Sequence, residues 1–258
     1  MAIIDTGFGP TGYIEGDSRD GVPILFLHGV GSDKSVWQPQ IDHFGKTRRA
    51  IAMDYPGYGD SAFVPGATRD DYAAAAIALL DMFGIGKAHI CGLSLGGVVA
   101  IAMHEAAADR CASLIIADSF AVHPEGQAIY DRSVAASTDM AMGDLAASRA
   151  PMLLGDQASE DVKAEVITTM AKIDPAAYRL GAAAVWLADQ RDRAARIRVP
   201  TLILCGDQDR ITPWSLSEEL AALIPGSEAI KVNGSGHLAN IEQEKLFNAA
   251  IDRFLAAH

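Results

Sequence analysis

Gly92-Leu93-Ser94-Leu95-Gly96 decides the reading of this chain, because of what stands on either side of it. The apolar run at residues 88–92 reads as a buried strand, and the stretch at 95–108 reads as an amphipathic helix. A serine between the two sits on a sharp, strained turn that lifts its hydroxyl clear of the backbone. Small residues at Gly92 and Gly96 let neighbouring chain pass that close. The turn also places Ser94 at a helix N-terminus, where free N–H groups favour developing negative charge. An ordinary strand-to-helix turn uses the same glycines, so the pentapeptide alone makes Ser94 a candidate nucleophile and no more.

Outward from this turn the pattern repeats. Strand-like runs occur at residues 23–28, 49–54, 114–118, 201–206 and 228–232, with amphipathic stretches at 37–44, 70–83, 216–224 and 240–256. Such alternation predicts an α/β fold with a mainly parallel sheet covered by helices on both faces. The last helix opens on Asn240 with Gln243 three residues on, a capping pair. Between residues 122 and 196 the alternation stops. That segment shows only Ala-, Met- and charge-rich helical pattern, broken by Pro124, Pro151 and Pro175. About 70 residues are too many for a loop, so the segment predicts a helical cap or subdomain. The expected organisation is a core at 1–121 and 197–258, with the cap at 122–196 inserted in it.

The chain has 258 residues, enough for one large domain or two small ones. Lys and Arg number 21 against 33 Asp and Glu, a formal charge of −12. Phosphate backbones and anionic lipid surfaces are repelled by such a surface, which leaves a small molecule as the expected partner, with no nucleic acid and no membrane. No leader-like segment opens the sequence, and no apolar run approaches the ~20 residues of a membrane span. Cys91, Cys111 and Cys205 have no metal-ligand spacing and read as packed free thiols, which points to a reducing cytoplasm. Nothing in the sequence demands more than a monomer.

Two tempting motifs fail. Gly7, Gly9 and Gly12 fit a dinucleotide fingerprint, but Tyr13-Ile14-Glu15 continues as strand where that motif needs a helix, so a hairpin is expected. His104-Glu105 begins a zinc motif whose second histidine is replaced by Ala108. A serine nucleophile needs a base, and the base needs an orienting acid. The run from Gly206-Asp207-Gln208-Asp209 to Pro213 follows one strand and Gly234-Ser235-Gly236-His237 follows the next, both at the strand ends where an open parallel sheet collects its site. His237 is the expected base. Asp209 is favoured over Asp207 as the acid by its spacing from Pro213, with Asp207 read as a turn residue. His43, His89, His104, His123 and His258 lack a partner motif and are expected in solvated or capping roles. The oxyanion donors expected are the backbone N–H groups of Leu95 and of Val30, within His28-Gly29-Val30-Gly31.

Together with Asp54-Tyr55-Pro56-Gly57-Tyr58-Gly59-Asp60-Ser61, these segments make the chain similar to the α/β-hydrolase superfamily from about residue 21 onward, the insertion excepted. The resemblance implies an α/β-hydrolase fold with an eight-stranded, mostly parallel sheet, a helical cap, the triad Ser94, Asp209 and His237, and neither metal nor organic cofactor. Ser35-Val36-Trp37-Gln38-Pro39-Gln40 and His237-Leu238-Ala239-Asn240-Ile241-Glu242 are most similar to the 3-oxoadipate enol-lactonase group and neighbouring small esterases. Enol-lactonases often carry Asn-Ser-Leu-Gly where this chain has His28-Gly29-Val30-Gly31, the form of general esterases and carbon–carbon bond hydrolases.

The implied activity is hydrolysis of a small ester or lactone through an acyl-enzyme on Ser94. Alternatives are carbon–carbon bond hydrolysis of a vinylogous diketone or perhydrolysis on the same triad, and, more remotely, a non-catalytic ligand receptor. Candidate pocket residues are Trp37, Trp186 and Leu238. Met140, Met142, Met152 and Met170 are read as packing or lining the cap. An acidic substrate would require one of Arg132, Arg149, Arg179, Arg191, Arg193 or Arg196 to face Ser94.

Overall fold

A computed structural model describes residues 2–258. Eight strands form one sheet: β1 (Ala2–Asp5), β2 (Pro10–Glu15), β3 (Ile24–Leu27), β4 (Ala50–Met53), β5 (Ala88–Leu93), β6 (Cys111–Ala117), β7 (Thr201–Gly206) and β8 (Glu228–Val232). Their order is β1-β2-β4-β3-β5-β6-β7-β8, antiparallel at the β1–β2 and β2–β4 pairs and parallel from β4 onward. The Gly7–Gly9 turn is the expected hairpin, with both glycines at positive φ.

The central strands are apolar along their whole length, and their pleat sorts the side chains between two cores. Leu25, Leu27, Ile51 and Ile90 face one core, under α2 (Arg69–Met82), α3 (Leu95–Ala106) and α9 (Trp214–Leu223). Ile24, Phe26, Ala50 and Leu204 face the other, under α1 (Gln38–Phe44) and α11 (Glu244–Ala256). Helix α3 was expected to be amphipathic, but it is buried from Leu95 to His104 and carries no polar face, because it lies in the core between the sheet and its neighbouring helices. A Thr68–Asp71 capping box starts α2.

Between β6 and β7 lie α4 (Gly126–Asp139), α5 (Met142–Leu153), α6 (Glu160–Ala171), α7 (Pro175–Trp186) and the short α8 (Arg191–Ala194). The Val122–Asp189 bridge closes the base of this segment. Pro151 lies inside the last turn of α5 and does not break it, and Pro175 opens α7. Among the described residues no helix is long and apolar enough to cross a membrane.

Three local expectations are corrected. The C-terminal helix does not start at Asn240: a short α10 (Ala239–Glu242) precedes α11, and Asn240 is buried, donating from Nδ2 to the Val36 carbonyl at 2.9 Å. Gln243 reaches the Gly234 carbonyl instead of capping. His89 and His104 are buried, not solvated, because they lie on apolar elements; His89 Nδ1 hydrogen-bonds Ser113 at 2.8 Å. All three cysteines are free and buried, as the sequence suggested.

Candidate active site

Ser94 stands at φ 55° and ψ −113° between β5 and α3. That backbone region disfavours any side chain, at a cost of order 1–3 kcal/mol, and the surrounding packing has to hold it. A Cβ on Gly92 would strike the Gly96 carbonyl, and one on Gly96 would strike the Leu27 carbonyl. The two glycines are therefore required by the crossing of α3 over the end of β3. Ser94 N–H donates to the Ala117 carbonyl at 2.9 Å, and Ser119 Oγ donates to the Ser94 carbonyl at 2.8 Å, which fixes the turn to β6.

His237 follows β8 on a short glycine-rich loop, and its Nδ1 lies 2.8 Å from Asp209 Oδ2. Asp209 is fully engaged: Oδ1 accepts from the Ile211 and Thr212 N–H groups, and Oδ2 accepts from Thr212 Oγ1 at 2.6 Å as well as from His237. Burial opposes ionisation of Asp209, but the neighbouring imidazole and these hydrogen bonds outweigh it and hold the carboxyl at about 2. Asp207 is exposed and accepts from the Gly234 N–H at 2.7 Å, linking the two loops without touching the imidazole. Ser94 and His237 open into the same cavity without a direct hydrogen bond between them, an arrangement common before substrate seats.

The loop after β3 borders this cavity through Gly29 and Val30. His28 is fully buried, which lowers its pKa and keeps the ring neutral. Its Nδ1 donates to the Gly29 carbonyl at 2.8 Å while Nε2 faces the Tyr55 N–H at 3.4 Å. In a planar trans peptide the Gly29 carbonyl and the Val30 N–H point opposite ways, so holding the carbonyl aims the N–H away from His28. No backbone carbonyl accepts from Val30 or Leu95 N–H among the described residues. Gly29 packs so closely on Ser94 that an added Cβ would lie 3.4 Å from the serine Cβ.

The cavity is narrow, about 50 Å³, and mostly apolar. Trp186, Leu238 and Met170 line it, as the sequence allowed. Trp37 does not. It is fully buried in the core under α1 and α11, against Phe26 and Phe247, whereas its neighbour Val36 lines the cavity. Met142 is core, while Met140 and Met152 are exposed. Of the six arginines named in the inserted segment, Arg149 alone reaches the cavity, accompanied by Glu165. Tyr178 on α7 also lines it and carried no signal in the sequence beyond an ordinary amphipathic helix.

Sequence reasoning missed Glu242. Its carboxylate accepts from Gly236 N–H at 2.9 Å, Leu238 N–H at 3.3 Å and, across in the inserted segment, Gly155 N–H at 2.6 Å. His237 N–H donates to the Leu153 carbonyl at 2.8 Å. The histidine loop is thus held from both sides by groups far apart in sequence.

Comparison with known proteins agrees with this architecture. A model of the alpha/beta hydrolase family matches residues 24–250. A 3-oxoadipate enol-lactonase of Acinetobacter baylyi is 30% identical over 247 residues, covering 93% of this chain and 91% of its own. The crystal structure of an enol-lactonase from Burkholderia xenovorans superposes with a TM-score of 0.92 at 25% identity, covering 99% of this chain and 100% of that one. A thermophilic esterase from Thermogutta terrifontis, solved with malate bound, gives 0.89 at 28% identity over 96% and 93% of the two chains.

Proposed function

The chain belongs to the alpha/beta hydrolase family, and from that premise we propose that it hydrolyses a small carboxylic ester or lactone through an acyl-enzyme on Ser94. The observation that carries the reading is the strained Ser94 turn sharing one cavity with the His237–Asp209 pair.

In the first half-reaction His237 takes the Ser94 hydroxyl proton as Oγ attacks the substrate carbonyl carbon. Asp209 stays ionised and stabilises the imidazolium through Nδ1. The Val30 and Leu95 N–H groups receive the oxyanion; loss of one such donor typically costs about 2.7–4 kcal/mol of transition-state stabilisation. The tetrahedral intermediate collapses by breaking the carbonyl carbon–oxygen bond, and the leaving oxygen takes the proton from His237. Water then attacks the acyl-serine with His237 as base and frees the acid. In a lactone the alcohol remains tethered to the acyl group.

The segment 122–196 serves as the cap, since α5, α6 and α7 supply the apolar wall of the cavity. A cavity of about 50 Å³ admits only a few water-sized groups, which favours a short acyl portion. The test is Ser94→Ala assayed on a short p-nitrophenyl ester. Turnover should fall about 10⁴–10⁶-fold with the fold intact. Undiminished hydrolysis by the purified variant would overturn the proposal.

A further inference from the structure

β6 ends in a turn, Ala117-Asp118-Ser119, whose aspartate has no part in the steps above. Asp118 stands at φ 47°; with Ser94 it is one of two described non-glycine residues in the left-handed region. Its side chain is fully buried. Oδ1 accepts from the Gly206 N–H at 2.8 Å, where β7 gives way to the loop carrying Asp209. The same carboxyl faces the Ala239 N–H, two residues beyond His237. Its neighbours Ala117 and Ser119 hold Ser94 from the other side, through the carbonyl and hydroxyl contacts described above. One three-residue turn therefore touches the loops of all three proposed catalytic residues, and the positive φ lets the side chains of Asp118 and Ser119 go to different loops.

We propose that Asp118 is a positioning residue for the reaction at Ser94, tying the acid and histidine loops to the strand end that holds the nucleophile turn. The proposal rests on the reading of Ser94, Asp209 and His237 as the triad.

Asp118 fills this role as a neutral acid. The titratable groups facing it are Asp209 and Cys205 from β7 and its loop, and Glu242 from α10; a carboxyl oxygen of Asp118 lies within 4.8 Å of one on Asp209 and of the Cys205 thiol. Two buried carboxylates that close do not both ionise. Asp209 has the imidazole and Thr212 to hold its charge, whereas Asp118 Oδ2 has no hydrogen-bond partner. Burial, then the Asp209 charge, pushes the Asp118 carboxyl far up. Its protonated form keeps the acceptor for Gly206 and adds no second charge beside Asp209.

The neutral isostere therefore separates positioning from charge. Asp118→Asn keeps an acceptor and should retain kcat within a few-fold, with an unmoved pH–rate profile. Asp118→Ala should lose about 10–100-fold in kcat with little change in KM, the size seen when groups that orient a site are removed. The unfolded aspartate ionises above pH about 4 while the folded one keeps its proton, so the wild type loses stability relative to Asp118→Asn as pH rises from 4 to 7. The difference in melting temperature should grow in that direction. Wild-type kcat in Asp118→Ala would overturn the proposal, as would a shift in the acid limb of the Asp118→Asn profile or a melting difference that grows as pH falls. Should Asp118→Ala fail to fold, Asp118→Ser, too short to reach Gly206, carries the same expectation and is read the same way. Activity retained by Ser94→Ala would instead reject the triad, which keeps the two failures distinct.

Discussion

At the scale of the residue, the two aspartates of the loop after β7 show how little separates the side chain proposed as the catalytic acid from a turn residue. Asp207 and Asp209 stand two positions apart, yet one caps an exposed turn and the other is buried on the imidazole. Replacing each by Asn keeps shape and removes charge. Asp209→Asn should cost about 10⁴-fold in kcat, since the imidazole loses its tautomer and its counter-charge. Asp207→Asn should stay within a few-fold. A comparable loss from both, measured on the same ester, would show that the loop and not the charge is what matters.

The same carboxylate links the site to acid stability. Its folded pKa, about 2, lies below the ordinary 3.8, so its contribution is present above pH 4 and is lost as pH falls toward 2. The shift corresponds to about 2 kcal/mol. Unfolding curves of the wild type and Asp209→Asn should therefore converge between pH 4 and 2, and a gap that stays constant there would contradict the assignment.

At the scale of the element, the β5–α3 turn is set by steric exclusion more than by attraction. Gly96→Ala pushes a Cβ into the Leu27 carbonyl of a central strand, where neither backbone can retreat. A loss of about 3 kcal/mol or more is expected from urea unfolding, in the range of severe overpacking. A near-neutral result would mean that α3 can slide on β3. Helix α3 also explains a limit of pattern reading. Its place was legible from the strand and turn before it, but the polar face expected of an amphipathic helix is missing, because burial on all sides erases the stripe.

At the scale of the whole molecule, the inserted helices are joined to the loops carrying Asp209 and His237 by polar contacts as well as by apolar packing. Glu242 gathers N–H groups of Gly155, Gly236 and Leu238, His237 donates to Leu153, and Arg210 pairs with Asp156 at 2.6 Å. Glu242→Ala strips three amides of one acceptor, a loss of about 2–4 kcal/mol for hydrogen bonds to a charged group. Amide exchange should quicken together at Gly155, Gly236 and Leu238. Faster exchange at Gly155 alone would show the inserted helices moving independently of the histidine loop.

The sequence by itself determined the order of strands and helices, the place of the insertion, and Ser94, Asp209 and His237 as the residues to examine. These were legible because each leaves a local trace: a glycine needed at a tight crossing, a polar residue ending an apolar run, a histidine on a glycine-rich loop. Only the tertiary structure decided that Trp37 belongs to the core and Trp186 to the cavity, since both look alike as aromatic residues near helix ends. It also decided that Arg149, out of six arginines in the inserted segment, reaches the cavity, and that Glu242 and Asp118 accept hydrogen bonds from the loops around it. The contacts of Asp118 with Gly206 and of Glu242 with Gly155 each span more than 80 residues. Local chemistry is written in neighbouring residues, whereas burial and long-range hydrogen bonds exist only once the chain has closed on itself.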